Sequence, residues 1–196
     1  DDFGPADHCG GRNEHHCADV DEHDRADHDE HDGAADGDLR RDAAPDRARA
    51  GDGRGAGIEL SSPLQHMGLQ ADDGGVEVPT DFAVAGWYRG GGRPGGPGPI
   101  VLVGHVDSRA GPAVFYRLGE LRPGDIVQIT VADGSMARYA VTGTEQFPKA
   151  EFPTFAVFGA TADDVVRLVT CTGEFNRSIR SYYDNLVVTA TRVADG

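Results

Sequence analysis

Three residues of this chain have the types and surroundings that nucleophilic chemistry on a carbonyl group requires. Cys171 follows directly on the apolar, β-branched run at residues 168–170, and Arg180 comes nine positions later, ahead of a second apolar run. His105 follows another apolar run, residues 100–104. The pattern predicts a strand that ends at a reactive cysteine, a loop that carries an arginine, a return strand, and a histidine at the end of a further strand.

Amide cleavage by a thiol needs a thiolate, an acid for the leaving amine, and positive charge where the oxyanion develops. Cys171, His105 and Arg180 could supply these in that order. At pH 7 an unperturbed cysteine is about 3% thiolate and an unperturbed histidine about 24% protonated. Without tuning by the site, the competent pair is below about 1% of the enzyme, which adds roughly 3 kcal/mol to the barrier. A nearby guanidinium would lower the thiol pKa and raise that fraction.

Each of these residues also has a simpler interpretation. A lone cysteine such as Cys171 is often a small buried hydrophobe, and His105 could be a hydrogen-bonded core or turn histidine. Arg177 competes with Arg180, although position 180 leaves room for a short loop and starts the final strand, facing back. Asp107 could orient His105, but capping of a turn is the more common role of an aspartate there.

The composition divides the chain into two parts. Residues 1–57 contain 17 acidic side chains, no lysine, six of the eight histidines and two of the three cysteines. Their only large aliphatic or aromatic residues are Phe3, Val20 and Leu39, too few to offset the entropy of ordering the segment. We therefore expect residues 1–57 to be a disordered Asp/His-rich tail or linker, or a mistranslated stretch, and residues 58–196 to form one catalytic domain.

Several function classes are disfavoured by the sequence. Residues 58–196 carry 16 acidic and 11 basic side chains without a basic stripe, which argues against nucleic-acid binding. That part holds one cysteine and two histidines, His66 and His105, too few for a usual zinc site, so we expect no metal and no cofactor there. We find no apolar run long enough to span a membrane, so any attachment would use an anchor outside this sequence.

The fold class predicted from the strand pattern is all-β. Short apolar or alternating runs separated by turn residues lie at residues 58–60, 100–104, 127–131, 136–144, 165–170 and 186–191. The Gly/Pro-rich segment 90–99 is a loop without the Gly-Lys-Ser/Thr ending of a phosphate-binding loop. Residues 145–164 form a longer connection whose middle could hold a short helix. Six or more short strands with little helix predict a closed or nearly closed β-barrel.

The segments Gly-His-Val-Asp-Ser at 104–108, Gly-Pro-Ala-Val-Phe at 111–115, Leu-Val-Thr-Cys at 168–171 and Tyr-Asp-Asn-Leu-Val-Val at 183–188 resemble sortases. More narrowly, they resemble class F sortases of actinobacteria, which are sometimes grouped with class E. The resemblance implies a barrel of about eight strands with short helices. It also implies a cysteine transpeptidase with Cys171 as nucleophile, His105 as the catalytic histidine and Arg180 as the catalytic arginine.

Such an enzyme is expected to cleave a Leu-Pro-x-Thr-Gly-like sorting signal of surface proteins between Thr and Gly. It then transfers the acyl group to an amine of the peptidoglycan precursor, as a monomer on the extracellular face of a Gram-positive cell. We expect Thr170 and four residues of the 145–164 connection to contact the signal peptide: Phe152, Pro153, Phe155 and Val157. For those four, ordinary core packing is an equal alternative.

The sequence departs from the family pattern at three places. The basic-apolar first strand expected just before Ile58 is replaced by Gly-Arg-Gly-Ala-Gly at 53–57. Arg167 stands four before the cysteine, where sortases often have threonine, and Thr172-Gly173 replaces the Gly-Gly common in this class.

Other Cys/His enzymes fit less well, since the local sequences typical of papain-like proteases, caspases and L,D-transpeptidases are missing. A different class of function also remains open: a metal-binding or buffering protein that uses the His/Asp-rich tail, with a barrel that is not catalytic. Metal binding that needs residues 8–31, without any role for Cys171, would favour this alternative. An inactive barrel that serves as a binding module is a third possibility.

Overall fold

The computed structural model describes residues 45–51, 60–70 and 75–194. Over these residues it contains ten strands, one short α-helix (α1) and two 3-10 helices. The strands are β1 Pro45–Gly51, β2 Leu60–Met67, β3 Ala85–Tyr88, β4 Pro99–Val103, β5 Asp107–Ser108, β6 Gly111–Pro112, β7 Ile126–Val131, β8 Met136–Pro148, β9 Val165–Asn176 and β10 Ser181–Arg192. The 3-10 helices are Leu118–Glu120 and Lys149–Glu151, and α1 is Thr154–Phe158.

Eight of the strands close into a barrel in the order β1-β2-β3-β4-β9-β10-β8-β7, and β1 pairs with β7 to complete the ring. The pairs β2–β3 and β4–β9 are parallel, and the other six pairs are antiparallel. The short strands β5 and β6 form a separate hairpin. The predicted all-β closed barrel with short helices is therefore confirmed.

Alternation along the strands separates two apolar layers. On β9, Val166 and Leu168 face the barrel interior, where they pack with residues from the other strands around Trp87 and Tyr139. Val169 faces the opposite way and belongs to an outer cluster, together with Val101, Val103 and Val187 of the neighbouring strands and Val157 of α1. The outer face of β4, β9 and β10 is thus an apolar floor covered by the connection that contains α1.

Three details differ from the sequence prediction or refine it. Pro45–Gly51 forms β1, so the disorder predicted for residues 1–57 does not hold for these seven residues. Cys171 does not end its strand, because β9 continues to Asn176 and pairs there with the start of β10. The predicted short helix is present as α1, but β8 extends to Pro148 before it. In the part of the chain that the structure describes, no helix is long and apolar enough to cross a membrane.

Candidate active site

The parallel pair β4–β9 brings His105 and Cys171 to the same edge of the barrel wall. Val103 is the Cα partner of Val169, and the Gly104 amide extends the ladder by donating to the Val169 carbonyl at 3.1 Å. His105 and Cys171 each lie two residues beyond a member of that pair. Since neighbouring strands lie about 4.8 Å apart, two residues 66 positions apart in sequence become spatial neighbours.

A buried hydrogen bond joins the two segments of the chain just before these residues. Thr170 Oγ1 donates to the carbonyl oxygen of Gly104 at 2.8 Å, and Thr170 is 4% exposed. Gly104 in turn packs closely against the core, because a Cβ there would lie 2.7 Å from the ring of Phe115. The residue before the histidine and the residue before the cysteine are therefore tied to each other.

The contacts of His105 determine which of its ring nitrogens can exchange protons. Nε2 lies 2.7 Å from the carbonyl oxygen of Pro79, and the ring packs against Phe82 with centroids 4.4 Å apart. A carbonyl oxygen only accepts hydrogen bonds, so Nε2 carries a proton and Nδ1 is the nitrogen left for proton transfer.

Cys171 is 7% exposed and is disulfide-bonded in this structure. It is the only cysteine within residues 45–51, 60–70 and 75–194. In the β9–β10 ladder its Cα partner is Asn185, which is also 7% exposed. A nucleophilic role requires the reduced thiol, because the thiolate is the reactive form.

An apolar cavity of about 200 Å³, which we call the Cys171 groove, opens beside these residues. Its floor is the outer face of β4, β9 and β10, one wall is the segment leading into β3, and the other is the connection around α1. It is lined by Leu69, Gln70, Gly75, Val76, Val78, Tyr88, Val103, Gly104, His105, Phe152, Thr154, Phe158, Val169, Thr170, Cys171 and Asn185.

The predicted peptide-contact residues occupy different places relative to this groove. Phe152 and Thr170 line it, whereas Pro153, Phe155 and Val157 are not among its lining residues. Phe155 is 85% exposed on α1, so core packing does not apply to it, and Val157 is 4% exposed in the outer apolar cluster. Their roles in peptide binding stay predictions.

Arg180 is set further from the cysteine than expected. It is an exposed residue of the turn at 177–180 with a left-handed φ of 51°, and β10 begins only at the next residue. It precedes Asn185 by five residues, a path of roughly 16 Å along a regular strand. Arg177 lies in the same turn and is also exposed. The catalytic role of Arg180 therefore stays a prediction.

Two side-chain contacts that the sequence did not indicate hold the β9–β10 hairpin in place. The Tyr182 hydroxyl donates to the Asp107 carboxylate, which links the hairpin to the loop after His105. Burial first, and then this bond to Asp107, raises the pKa of Tyr182 to about 12. Lys149 Nζ donates to Ser181 Oγ at 2.7 Å, and burial lowers the pKa of Lys149.

Arg167, the departure four residues before the cysteine, has a structural role. Its Nη1 donates to the Val157 carbonyl at 2.5 Å, so it holds the end of α1 against β9. Burial lowers the pKa of this guanidinium. A cation at a helix C-terminus satisfies a carbonyl that lacks an intrahelical partner.

The comparisons with known proteins agree with this geometry. A sortase domain model matches residues 58–193. The chain belongs to the sortase family. Members of this family are cysteine transpeptidases, which is consistent with a cysteine and a histidine that line one groove. A search of curated proteins gave no significant match.

Among solved structures, a lid mutant of sortase A from Corynebacterium diphtheriae aligns with a TM-score of 0.57 and 21% identity, covering 80% of this chain and 74% of its own. Sortase C-1 from Actinomyces oris aligns with a TM-score of 0.54 and 25% identity, over 76% and 72% of the two chains. Sortase A from Listeria monocytogenes aligns with a TM-score of 0.56 and 17% identity, over 78% and 89%. The barrel is thus shared with sortases A and C.

The alternative function as a metal-binding protein depends on histidines of residues 8–31, which lie outside the described residues. Within the described residues, no group of three or more His, Cys, Asp or Glu side chains could hold a metal ion.

Proposed function

We propose that this chain is a class F sortase that cleaves a Leu-Pro-x-Thr-Gly-like sorting signal between Thr and Gly and transfers the acyl group to an amine of the peptidoglycan precursor. The observation that carries the proposal is the emergence of Cys171 and His105 from adjacent parallel strands into one apolar groove. The apolar lining suits the leucine and proline of such a signal, because clefts of this kind bind ligands mainly by excluding water from apolar surface.

The reaction divides into two acyl transfers. The reduced Cys171 thiolate attacks the Thr carbonyl carbon, a C–S bond forms, and the carbonyl π electrons move to the oxygen. When the oxyanion collapses, the C–N bond breaks and the leaving glycine amine takes a proton from Nδ1 of His105. The incoming amine then attacks the thioester, loses a proton to His105 and releases Cys171. In this proposal Arg180 supplies positive charge to the peptide or to the oxyanion.

The setting proposed for this activity is the outer face of a Gram-positive cell, where surface proteins and peptidoglycan precursors meet. In this setting the enzyme would act as a monomer.

The test is turnover of a fluorogenic Leu-Pro-Ala-Thr-Gly peptide by the whole chain in the presence of a reductant, with and without an added glycine-based amine. We expect an amine-dependent transpeptidation product, no turnover by Cys171→Ala, and at least a 100-fold slower reaction with a peptide that has Ala in place of Pro. Equal turnover by wild type and Cys171→Ala would overturn the proposal. A parallel series with Arg180→Ala and Arg177→Ala assigns the arginine, since only the first should lower kcat.

A further inference from the structure

Asn185 is a polar residue directly opposite the proposed nucleophile in the sheet. It is the Cα partner of Cys171 in the antiparallel β9–β10 ladder. Directly opposite residues project from the same face, with Cβ atoms about 4.5 to 5.5 Å apart. Both residues line the Cys171 groove, which also receives His105.

The surroundings of Asn185 are apolar. Its face of the barrel continues with Val187 on the same strand and Val169 on the neighbouring strand, which are 3% and 9% exposed. A polar side chain costs free energy in such a floor unless it hydrogen bonds. Asn185 is 7% exposed and borders open groove, so a substrate group bound there would meet its amide in a site of low dielectric.

The chemistry of an asparagine amide fits one need of the reaction. It offers two N–H donors and stays neutral over the whole working pH range. An asparagine side chain that donates to the developing oxyanion is a known device of acyl-transfer sites. Arg180, by comparison, precedes Asn185 by five residues and lies in an exposed turn.

We propose that the Asn185 side-chain amide donates a hydrogen bond to the acyl oxygen of the scissile Thr–Gly bond. This inference rests on the proposed sortase function. As the Cys171 thiolate adds to the carbonyl carbon, the π electron pair moves to the oxygen, and the N–H of Asn185 stabilises that charge. The bond shortens in the tetrahedral state and relaxes when the C–N bond breaks and the thioester forms.

The experiment compares two reactions of the same thiol, under reducing pretreatment, in Asn185→Ala and Asn185→Asp. The first reaction is acylation by the fluorogenic Leu-Pro-Ala-Thr-Gly peptide, followed by turnover and by mass of the acyl-enzyme. The second is alkylation by iodoacetamide, in which no oxyanion forms. Asn176→Ala is the matched control, because Asn176 lies on the same hairpin and its amide contacts the exposed Tyr183 hydroxyl.

We expect Asn185→Ala to lower kcat by about 100-fold with little change in KM, while the alkylation rate stays within about twofold of wild type. Asn185→Asp keeps the shape but loses the donors, so its acylation should be at least as slow. The Asn176→Ala variant should behave as wild type in both reactions.

Two outcomes would overturn the inference. A wild-type kcat in Asn185→Ala would show that the oxyanion is stabilised elsewhere. An equal loss of acylation and alkylation would show that Asn185 only supports the strand. Failure of the sortase function itself would look different, since the reduced wild-type chain would then alkylate but form no acyl-enzyme, and the inference would fall with it.

Discussion

The floor of the Cys171 groove and the exposed segments that adjoin its strands are built in different ways. The floor consists of β4, β9 and β10, whose outward residues are nearly inaccessible and whose backbone ladders leave little freedom. Two exposed segments adjoin these strands, and we call them the rim: the turn at 177–180 that joins β9 to β10, and α1, where Phe155 is 85% exposed. The proposed nucleophile Cys171 lies in the floor and the proposed acid His105 follows β4 by two residues, whereas the proposed arginine and one predicted peptide contact come from the rim. Buried ladders hold reacting atoms to a fraction of an ångström, and exposed segments can adapt to a peptide.

The largest effect is expected at Gly104, just beyond the floor strand β4, where the backbone packs closely against Phe115 of the barrel core. In Gly104→Ala the new Cβ would meet the Phe115 ring at 2.7 Å, so either Phe115 or the histidine strand must shift. We expect a loss of about 1 to 3 kcal/mol in unfolding free energy and roughly a 100-fold lower kcat/KM. Urea unfolding and peptide turnover measure both. Gly143→Ala is the control, because a Cβ there meets nothing within 4 Å, and wild-type values for Gly104→Ala would contradict a tightly packed floor.

A smaller effect is expected when the tie between the two strands is removed. Thr170→Val keeps the shape of the side chain but removes the donor to the Gly104 carbonyl. We expect the unfolding free energy to fall by about 1 to 2 kcal/mol and kcat to fall roughly tenfold, because His105 and Cys171 are then less firmly positioned. The comparison variant is Thr142→Val, whose hydroxyl donates to the Thr189 carbonyl in an exposed setting. Equal effects of the two substitutions would show that burial of the tie is irrelevant.

The hydrogen bond by which Tyr182 links the β9–β10 hairpin to Asp107 should appear as a pH effect. The pKa of Tyr182 is raised to about 12, above its ordinary value of about 10, so the folded state prefers the protonated phenol. The contribution of the Tyr182 phenol to the stability of the folded state is complete below pH 10 and is lost between pH 10 and 12. In Tyr182→Phe this part of the alkaline loss should vanish, which urea midpoints from pH 9 to 12 would measure. Tyr183→Phe, at an exposed position, should keep the wild-type slope.

Every variant should still lose stability at alkaline pH because of Tyr139. Burial and the Asp164 carboxylate raise the pKa of that phenol as well. The Tyr182 contribution is therefore the difference between two curves. No difference between wild type and Tyr182→Phe would contradict the link to Asp107.

The smallest change in stability is expected on the rim. Phe155→Ala removes an 85% exposed ring, so the unfolding free energy should change by less than about 0.5 kcal/mol. If Phe155 contacts the sorting signal, KM for the peptide should rise roughly threefold while kcat is unchanged. Phe175→Ala, an exposed phenylalanine on the hairpin, is the control. An unchanged KM would limit the peptide site to the groove itself.

The floor was predictable from the sequence and the rim was not, for physical reasons. The strand before His105 is a continuous apolar run and the strand before Cys171 is apolar except for Arg167, and such runs are a strong local signal for buried strands. The continuation of β9 to Asn176 is polar and is set by pairing with β10, which no local pattern reveals. Asn185 lies opposite Cys171 because the register shifts between Tyr182 and Asp184. This pairing therefore follows from the hairpin geometry and not from the local sequence.

The first strand of the barrel illustrates the same limit. Pro45–Gly51 carries arginine, aspartate and alanine rather than the β-branched residues that favour strands. It pairs with β2 on one side and β7 on the other, and these backbone hydrogen bonds outweigh its weak intrinsic preference. A prediction from composition therefore placed it in the tail.

The parallel pairing of Val103 with Val169 has a consequence for the order of folding events. The two strands are joined by a long crossover connection. The entropy of closing this loop must be lost before the contact between the strands contributes favourable free energy. During synthesis, β4 emerges first and β9 well after it. Until β4 and β9 pair, Cys171 is not positioned beside His105, so the proposed reactive pair exists only once this long-range contact has formed.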